Sequence, residues 1–262
     1  MRALAIAASG MTAQQLNVEV IAHNIANINT TGFKRGKAEF TDLLYQADRT
    51  AGAPNRGGEE AIPEGAQIGL GVRAAAVRQL HLQGSLTKTS NTLDVALDGR
   101  GWLQVTGPNG EAFYTRQGAL NKNATGQIVT ADGYALAPQI VIPATATRIQ
   151  INQAGEVFAD ADGGGELTQI GQITLATFVN DAGLEAMGGS LFRETSSSGA
   201  PTIAVAGSQG VAKIHQGYLE NANVDPVKEI TELITAQRSY EMNSKVIEAV
   251  DGMYATVAKG IR

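Results

Sequence analysis

Residues able to do chemistry are few in this 262-residue chain, and their spacing is unhelpful to a reaction. The three histidines, His23, His81 and His215, stand apart, with neither the HExxH spacing of a zinc site nor a cysteine beside them. The absence of cysteine removes disulfides, thiolate ligands and a thiol nucleophile at once. Gly207-Ser208-Gln209-Gly210 resembles a nucleophile elbow only superficially, and reads as a glycine-rich loop. Gly99-Arg100-Gly101 and Gly69-Leu70-Gly71 lack the further glycines of a dinucleotide or phosphate loop. From Asp160 and Asp162 to Glu166, carboxylates alternate with glycine and can offer oxygens to calcium. Without a third ligand and a distal glutamate, that run is expected to be a solvated hairpin turn. A glycosidase pair among the carboxylates is equally unsupported, and a single tryptophan, Trp102, is little for a sugar-stacking groove. The expectation is a protein with no catalytic residues, no metal and no cofactor.

What the chain has instead is two asparagine-rich runs. One spans Asn24-Ile25-Ala26-Asn27-Ile28-Asn29-Thr30-Thr31-Gly32-Phe33-Lys34; the other is Tyr218-Leu219-Glu220-Asn221-Ala222-Asn223-Val224-Asp225. Asparagine and glycine tolerate backbone angles that other residues avoid, so both runs suit sharp joints. Each borders a helical pattern. Leu4, Ala8, Met11, Val18, Ala22 and Ile25 recur at steps of three and four, with Gln15 in the gap, and predict a helix of about six turns. Gly32 is expected to end it in the left-handed conformation, with Phe33 making the accompanying hydrophobic contact. Asp225 and Pro226 are the start signals of a second, longer helix. Its stripe runs Ile230, Leu233, Gln237, Tyr240, Ser244, Ile247, Asp251, Tyr254, Ala258, Ile261, apolar at one seam position and polar or small at the other. Such a seam gives register to a many-partner bundle at a cost in stability.

Between the helices the texture is β-like. Strands are expected at 93–97, 102–106, 113–116, 127–130, 148–151, 156–159 and 169–179, with Pro108-Asn109-Gly110 as a turn. Residues 47–67 lack periodicity and read as an extended loop or linker. Hydrophobic residues make up 43% and charged residues 17%, which suits packed domains and not disorder. Of the net charge of −5, residues 1–37 carry +3, residues 228–262 carry 0, and the middle −8. No basic face with interleaved aromatics is present, so a nucleic-acid partner is not expected. No apolar run approaches the roughly 18 residues that span a bilayer, and the start lacks the pattern of a cleaved signal, so membrane insertion is not expected either. A secreted β-rich carbohydrate-binding or carbohydrate-cleaving protein is the alternative that the acidic, many-stranded middle leaves open.

The Asn24–Lys34 run resembles the signature shared by bacterial flagellar rod and hook proteins. The likeness continues through 40–46, 94–102 and 114–118 and closes with 216–224 and 237–245, so it covers nearly the whole chain. Trp102 stands where that family often has phenylalanine, and His23 where it often has asparagine. The length and the 42–46 segment look most like a rod member; a hook member, or another rod subunit, is the alternative within the class. The resemblance implies an α+β multidomain fold, with N- and C-terminal helices forming a coiled-coil-like assembly domain (1–45 and 215–262) around a central all-β domain (91–214). Between them, 46–90 would be an extended linker with a possible wedge between subunits. It also implies a straight, rigid helical homopolymer spanning the periplasm. Its expected partners are itself, other rod subunits, hook protein, the surrounding basal-body rings and the flagellar type III export apparatus. Assembly contacts are expected at Leu4, Ala8, Met11, Val18, Ile25, Ile230, Leu233, Tyr240, Ile247, Tyr254 and Ile261. The joints are expected at Asn24, Asn27, Asn29, Gly32, Phe33, Asn221, Asn223 and Asp225.

Overall fold

The structure, a computed structural model, describes residues 2–49, 64–160 and 167–260. The chain divides into two units: Met1–Ile25, Gly36–Arg78 and Asp225–Arg262 form the first, Ala26–Arg35 and Gln79–Val224 the second. Three of the four crossings between them fall at an edge of an asparagine-rich run or within two residues of one.

The first unit holds helix α1 (Arg2–Ala26) and strands β1 (Gly36–Asp42), β2 (Tyr45–Arg49), β3 (Ala66–Gly69) and β4 (Val72–Gln79), with helix α2 (Pro226–Gly260). α2 begins as its start signals predict: the Asp225 carboxylate accepts from the amides of Val227 (2.9 Å) and Lys228 (3.3 Å), and Pro226 occupies the first helical position. The two helices run antiparallel in constant register. Asn24 donates to the Glu229 carboxylate at 3.1 Å, while a Cβ on Gly10 would lie 2.9 Å from the Asn243 side chain; Gly10 precedes Asn24 by as much as Asn243 follows Glu229. Gly10 thus sits where the helices approach closely. β1 pairs with β4, and β2 with β3 through Tyr45↔Gly69 and Gln46↔Ile68. The Leu43 amide donates to Gly71 O (2.8 Å) and the Leu70 amide to Leu44 O (3.1 Å), so the four strands form one long two-stranded arm.

The ends of the stretch read as a loop, 47–67, therefore lie in strands; residues 50–63 are outside the described residues. β2 is exposed along its whole length and β3 along most of it, so neither has an apolar face to imprint a period of two on the sequence. The first helix also ends before the expected glycine. α1 stops at Ala26, six residues before Gly32, and Gly32 (φ +70°) closes a turn. Its amide donates to Glu220 O at 2.8 Å, and a Cβ there would lie 2.8 Å from the Arg116 backbone. Gly32 permits a close approach of two strands of chain and is not a helix cap.

The second unit is β-rich. Its strands are β5 (Leu86–Lys88), β6 (Val95–Asp98), β7 (Trp102–Thr106), β8 (Ala112–Thr115), β9 (Leu120–Lys122), β10 (Ile128–Thr130), β11 (Ala135–Ala137), β12 (Ile149–Ile151), β13 (Glu156–Ala159), β14 (Thr168–Gln172), β15 (Thr174–Thr177), β16 (Glu185–Gly188), β17 (Leu191–Arg193), β18 (Thr202–Val205), β19 (Lys213–Gln216) and β20 (Tyr218–Glu220). A nine-stranded sheet runs β16-β17-β8-β7-β11-β10-β9, with β15 joining β7 to β18. A three-stranded sheet holds β12, β13 and β14, and the pairs β19–β6 and β20–β5 complete the unit.

Successive strand residues point to opposite faces, and here both faces of the large sheet are covered. Leu103, Val105, Phe113 and Leu175 enter the larger core; Trp102, Tyr114, Ala176 and Phe192 enter a smaller aromatic one. That explains why these strands read as apolar runs rather than as alternations. The single strand expected at 169–179 is two, because β14 pairs in the small sheet and β15 in the large one. Ile173 lies between them, wholly buried, with its amide on Gly155 O at 2.7 Å.

Candidate functional site

The asparagine-rich runs fold around buried polar groups. In the second unit, the fully buried Glu220 carboxylate accepts from the Lys34 ammonium (2.6 Å), the Arg116 guanidinium (3.1 Å) and the Gly84 amide (2.9 Å). Lys34 also donates to Leu82 O at 2.8 Å, and Arg116 to Gly99 O at 2.5 Å. Burial lowers the Lys34 pKa, and the adjoining Glu220 charge works in the opposite direction. Asn223 accepts from the Arg35 amide (2.7 Å) and donates to Leu80 O and Leu82 O (2.8 and 3.0 Å), standing in for a missing strand. Asn221 donates to the Ser85 and Thr87 hydroxyls, and Asn27 accepts from the Thr30 hydroxyl. Phe33 is half-buried and Asn29 exposed within their turn. The asparagines stand out in the sequence, whereas Lys34, Arg116 and Glu220 do not: the two runs contain Lys34 and Glu220, and nothing in them shows that these pair.

In the first unit Asn24 is wholly buried. Its amide donates to Gly36 O (2.9 Å) and to Glu229, while its oxygen accepts from the Gly36 amide (2.8 Å). One side chain thereby ties α1 to the start of β1 and to α2. Asp225 caps α2.

Among the described residues no three metal-ligating side chains gather. His81 packs edge-on to Trp102 (5.2 Å) and Phe192 (5.6 Å), and burial pushes its pKa down to about 4, with Asp181 working against the shift and Lys34 and Arg116 adding to it. His215 lies 3.6 Å from Asp98, and His23 is exposed on α1. Asp160 is buried, but Asp162 and the rest of that turn are outside the described residues. Ser208 sits in a turn, its amide on Val205 O.

The helical stripes occupy a flank. The line along which the helices meet is one residue earlier on each: Ala7, Gly10, Gln14, Asn17, Ile21 and Asn24 on α1, and Glu229, Glu232, Ala236, Ser239, Asn243 and Val250 on α2. Beside that seam, Leu4, Met11, Val18, Ile25, Leu233 and Ile247 are half-buried; Ala8, Ile230, Tyr240 and Tyr254 are exposed, and Ile261 is outside the described residues. The two stripes share one groove of about 320 Å³, where Gln15 and Val18 face Gln237 and Tyr240. Small residues (Ala7, Gly10, Ala236, Ser239) alternate in the seam with polar ones and with Ile21 and Val250, and most of the large apolar side chains of the stripes are left at the flank.

Terminal helices with an open apolar flank, and buried charges tied up in holding turns together, define a structural subunit. Family models agree: the flagella basal body rod protein model matches residues 4–34, the flagellar hook protein FlgE/F/G D1 domain 96–159, and the flagellar basal body rod FlgEFG protein C-terminal model 215–259. The flagellar basal-body rod protein FlgG of Agrobacterium fabrum is 55% identical over the full length of both chains. Those of Caulobacter vibrioides (52%, 97% of each chain) and Borreliella burgdorferi (42%, 97% of this chain and 96% of the other) are also similar. The chain belongs to the flagellar basal-body rod protein FlgG family.

Proposed function

We propose that the protein polymerises through its terminal helices into the straight, rigid distal rod of the flagellum, which transmits torque across the periplasm. It is a structural protein of the flagellar basal body and not an enzyme. The observation that carries the polymer reading is the apolar flank of the helix pair. Ile230, Tyr240 and Tyr254 are 50%, 43% and 51% exposed. In the antiparallel register the first residues of α1 lie beside residue 251 of α2, and the stripe of α2 continues past that point. A second copy packs a helix on this exposed flank in a coiled-coil-like, heterologous contact that extends instead of closing.

Within this reading, helical residues of 1–45 and 215–262 build the inner assembly region, and residues 91–214 the outer β-rich region. Asn24, Asn27, Asn29, Gly32, Phe33, Asn221, Asn223 and Asp225 are the joints between them. Neighbours along the axis are proximal rod subunits and hook protein, with basal-body rings outside, and delivery is by the flagellar type III export apparatus.

Electron micrographs of concentrated full-length protein test the proposal. Straight tubes are expected from the wild type, and none from Ile230→Glu/Tyr240→Glu at the same concentration. Curved tubes would favour a hook subunit, and wild-type protein that stays monomeric at any concentration would refute assembly through this flank.

A further inference from the structure

A cavity of about 320 Å³ opens within the second unit, lined by His81, Gln83, Arg100, Trp102, Arg116 and Asp181. Its aromatic side is built from Trp102, which packs on Phe192 with ring centroids 4.8 Å apart while His81 stands edge-on to both. Leu82, 67% exposed, adds an apolar side chain to the lining. The hydrogen-bonding capacity of these side chains is one-sided. The carboxylate and amide acceptors are engaged: Asp181 accepts from Trp102 Nε1 (3.3 Å) and Arg100 Nη2 (3.0 Å), and Gln83 Oε1 accepts from the Gly99 amide (2.8 Å). The Gln83 amide group donates in turn to Leu97 O and Asp98 Oδ1. What is left over is donors. Arg116 gives Nη1 to Glu220 and Nη2 to Gly99 O, but its Nε is buried without a partner. Arg100 is fixed through Nη2 alone, on Asp181 and on Phe178 O (3.3 Å), so Nη1 and Nε stay unengaged on a side chain that is 67% exposed. His81 Nδ1 is also buried and unpartnered; burial pushes the ring's pKa down to about 4, so at neutral pH it is uncharged and can carry its one proton on that nitrogen. Buried donors in this state weaken a fold until an acceptor meets them.

We infer that this cavity binds the carboxylate of a small organic anion with a flat apolar body, with Arg100 and Arg116 supplying donors and Trp102 and Leu82 the apolar contact. A carboxylate matches because it accepts without donating and presents two oxygens in one plane, which a guanidinium edge meets with two parallel bonds. A sugar fits less well, since each hydroxyl brings a proton that needs an acceptor, and Asp181 and Gln83 are already occupied. One added negative charge is as much as the site answers, because Arg100 and Arg116 are already paired with Asp181 and Glu220. The inference concerns the second unit alone and does not depend on the polymer contact. A carboxylate of this kind is carried both by free small acids and by the last residue of a peptide chain.

Benzoate is the probe, titrated into dilute full-length protein and followed by proton–nitrogen correlation spectra. The chain has a single tryptophan, so the indole N–H of Trp102 gives one resonance, and its bond to Asp181 places it at the site. A saturable shift is expected with benzoate and none with benzamide, which has the same shape without the charge, at equal concentration. Arg100→Gln should raise the Kd for benzoate at least tenfold, and Arg100→Lys, which keeps the charge but loses the planar fork, should lose most of the same affinity. Because the Arg100 side chain is largely exposed, both variants are expected to fold, with circular dichroism matching the wild type. A peptide ending in phenylalanine, compared with its C-terminal amide, separates the two sources: binding tighter than benzoate assigns the site to a chain end, and weaker binding to a free acid. No saturable shift up to about 50 mM benzoate, a benzamide response equal to that of benzoate, or a folded Arg100→Gln protein with a Kd within about twofold of the wild type overturns the inference.

Discussion

Glu220 holds two cations where there is almost no water: the side chains of Lys34 and Arg116 are 1% and 6% exposed, and the carboxylate is not exposed at all. A buried pair is not a strong net source of stability, but removing one partner strands the others in a low-dielectric interior. Glu220→Gln is therefore expected to destabilise the second unit by about 3–5 kcal/mol. Denaturant titration can follow this through Trp102, the chain's single tryptophan, which lies 5.6 Å under the Arg116 guanidinium; a loss under about 1 kcal/mol would show that water already screens the cluster. The same tryptophan reports on His81. Its pKa is about 4 in the folded chain against 6.5 in the unfolded one, so between those values the unfolded state binds the extra proton. The contribution is complete above pH 6.5, falls as the pH drops towards 4, and reaches up to about 3 kcal/mol at 1.36 kcal/mol per pH unit. His81→Phe should flatten that part of the stability profile. An identical slope in the variant would assign the acid sensitivity elsewhere.

Asn24 is where residue and element meet, because its amide completes the hydrogen bonding of Gly36 at the head of β1 and reaches Glu229 on α2. Asn24→Ala leaves the buried Gly36 amide and carbonyl unpartnered, a cost of about 2 kcal/mol, or roughly a thirtyfold rise in the critical concentration for assembly. A critical concentration within twofold of the wild type would show that water replaces the side chain. At this scale the sequence was readable where an element's own residues state its surroundings. Asp225-Pro226 marks the start of α2, and the apolar strands β7, β8 and β13 are legible because they are buried. It was unreadable where partners decide. The arm of β1 to β4 has little apolar face to announce it, and the stripes of α1 and α2 mark a flank because the true seam interrupts its apolar Ala7, Ile21, Ala236 and Val250 with Gly10, Gln14, Asn17, Glu232, Ser239 and Asn243. Lys34, Arg116 and Glu220 are far apart in sequence and meet only through the fold. A helix pair whose large apolar residues lie outside its seam gains little from pairing alone, since helix stability comes mainly from packing. Far-ultraviolet circular dichroism of dilute monomer should accordingly show less helix than α1 and α2 together contain, and polymerisation should restore it. A helical signal independent of concentration would refute coupled folding and assembly.

For the whole molecule, stiffness is a separate requirement from assembly, and the β arm is the element free to provide it. The proximal strands lean on α1, with the Val72 amide on the Ser9 hydroxyl at 3.2 Å, but β2 and most of β3 are exposed, and a two-stranded hairpin alone in water is marginal, so these distal strands require something to pack against. Leu44, Tyr45 and Val77, 82%, 60% and 52% exposed, with Ile68 at 42% and Leu70 at 38%, are the large apolar residues its described part offers. Lodged between neighbouring copies, the arm would resist the sliding of one subunit past the next, and that sliding is what bending a tube requires. The register supplies a clean way to shorten it. Gln46 and Ile68 are cross-strand partners, so excising 47–67 and joining them through an Asn-Gly turn preserves β1, β4 and the Leu43–Gly71 bond while removing the distal arm. Tubes of the shortened protein are expected to assemble with the same diameter but to curve or flex, with a persistence length in micrographs several-fold below the wild type. Tubes that remain straight and equally stiff would relieve the arm of any mechanical part and leave rigidity to the helices and the β unit.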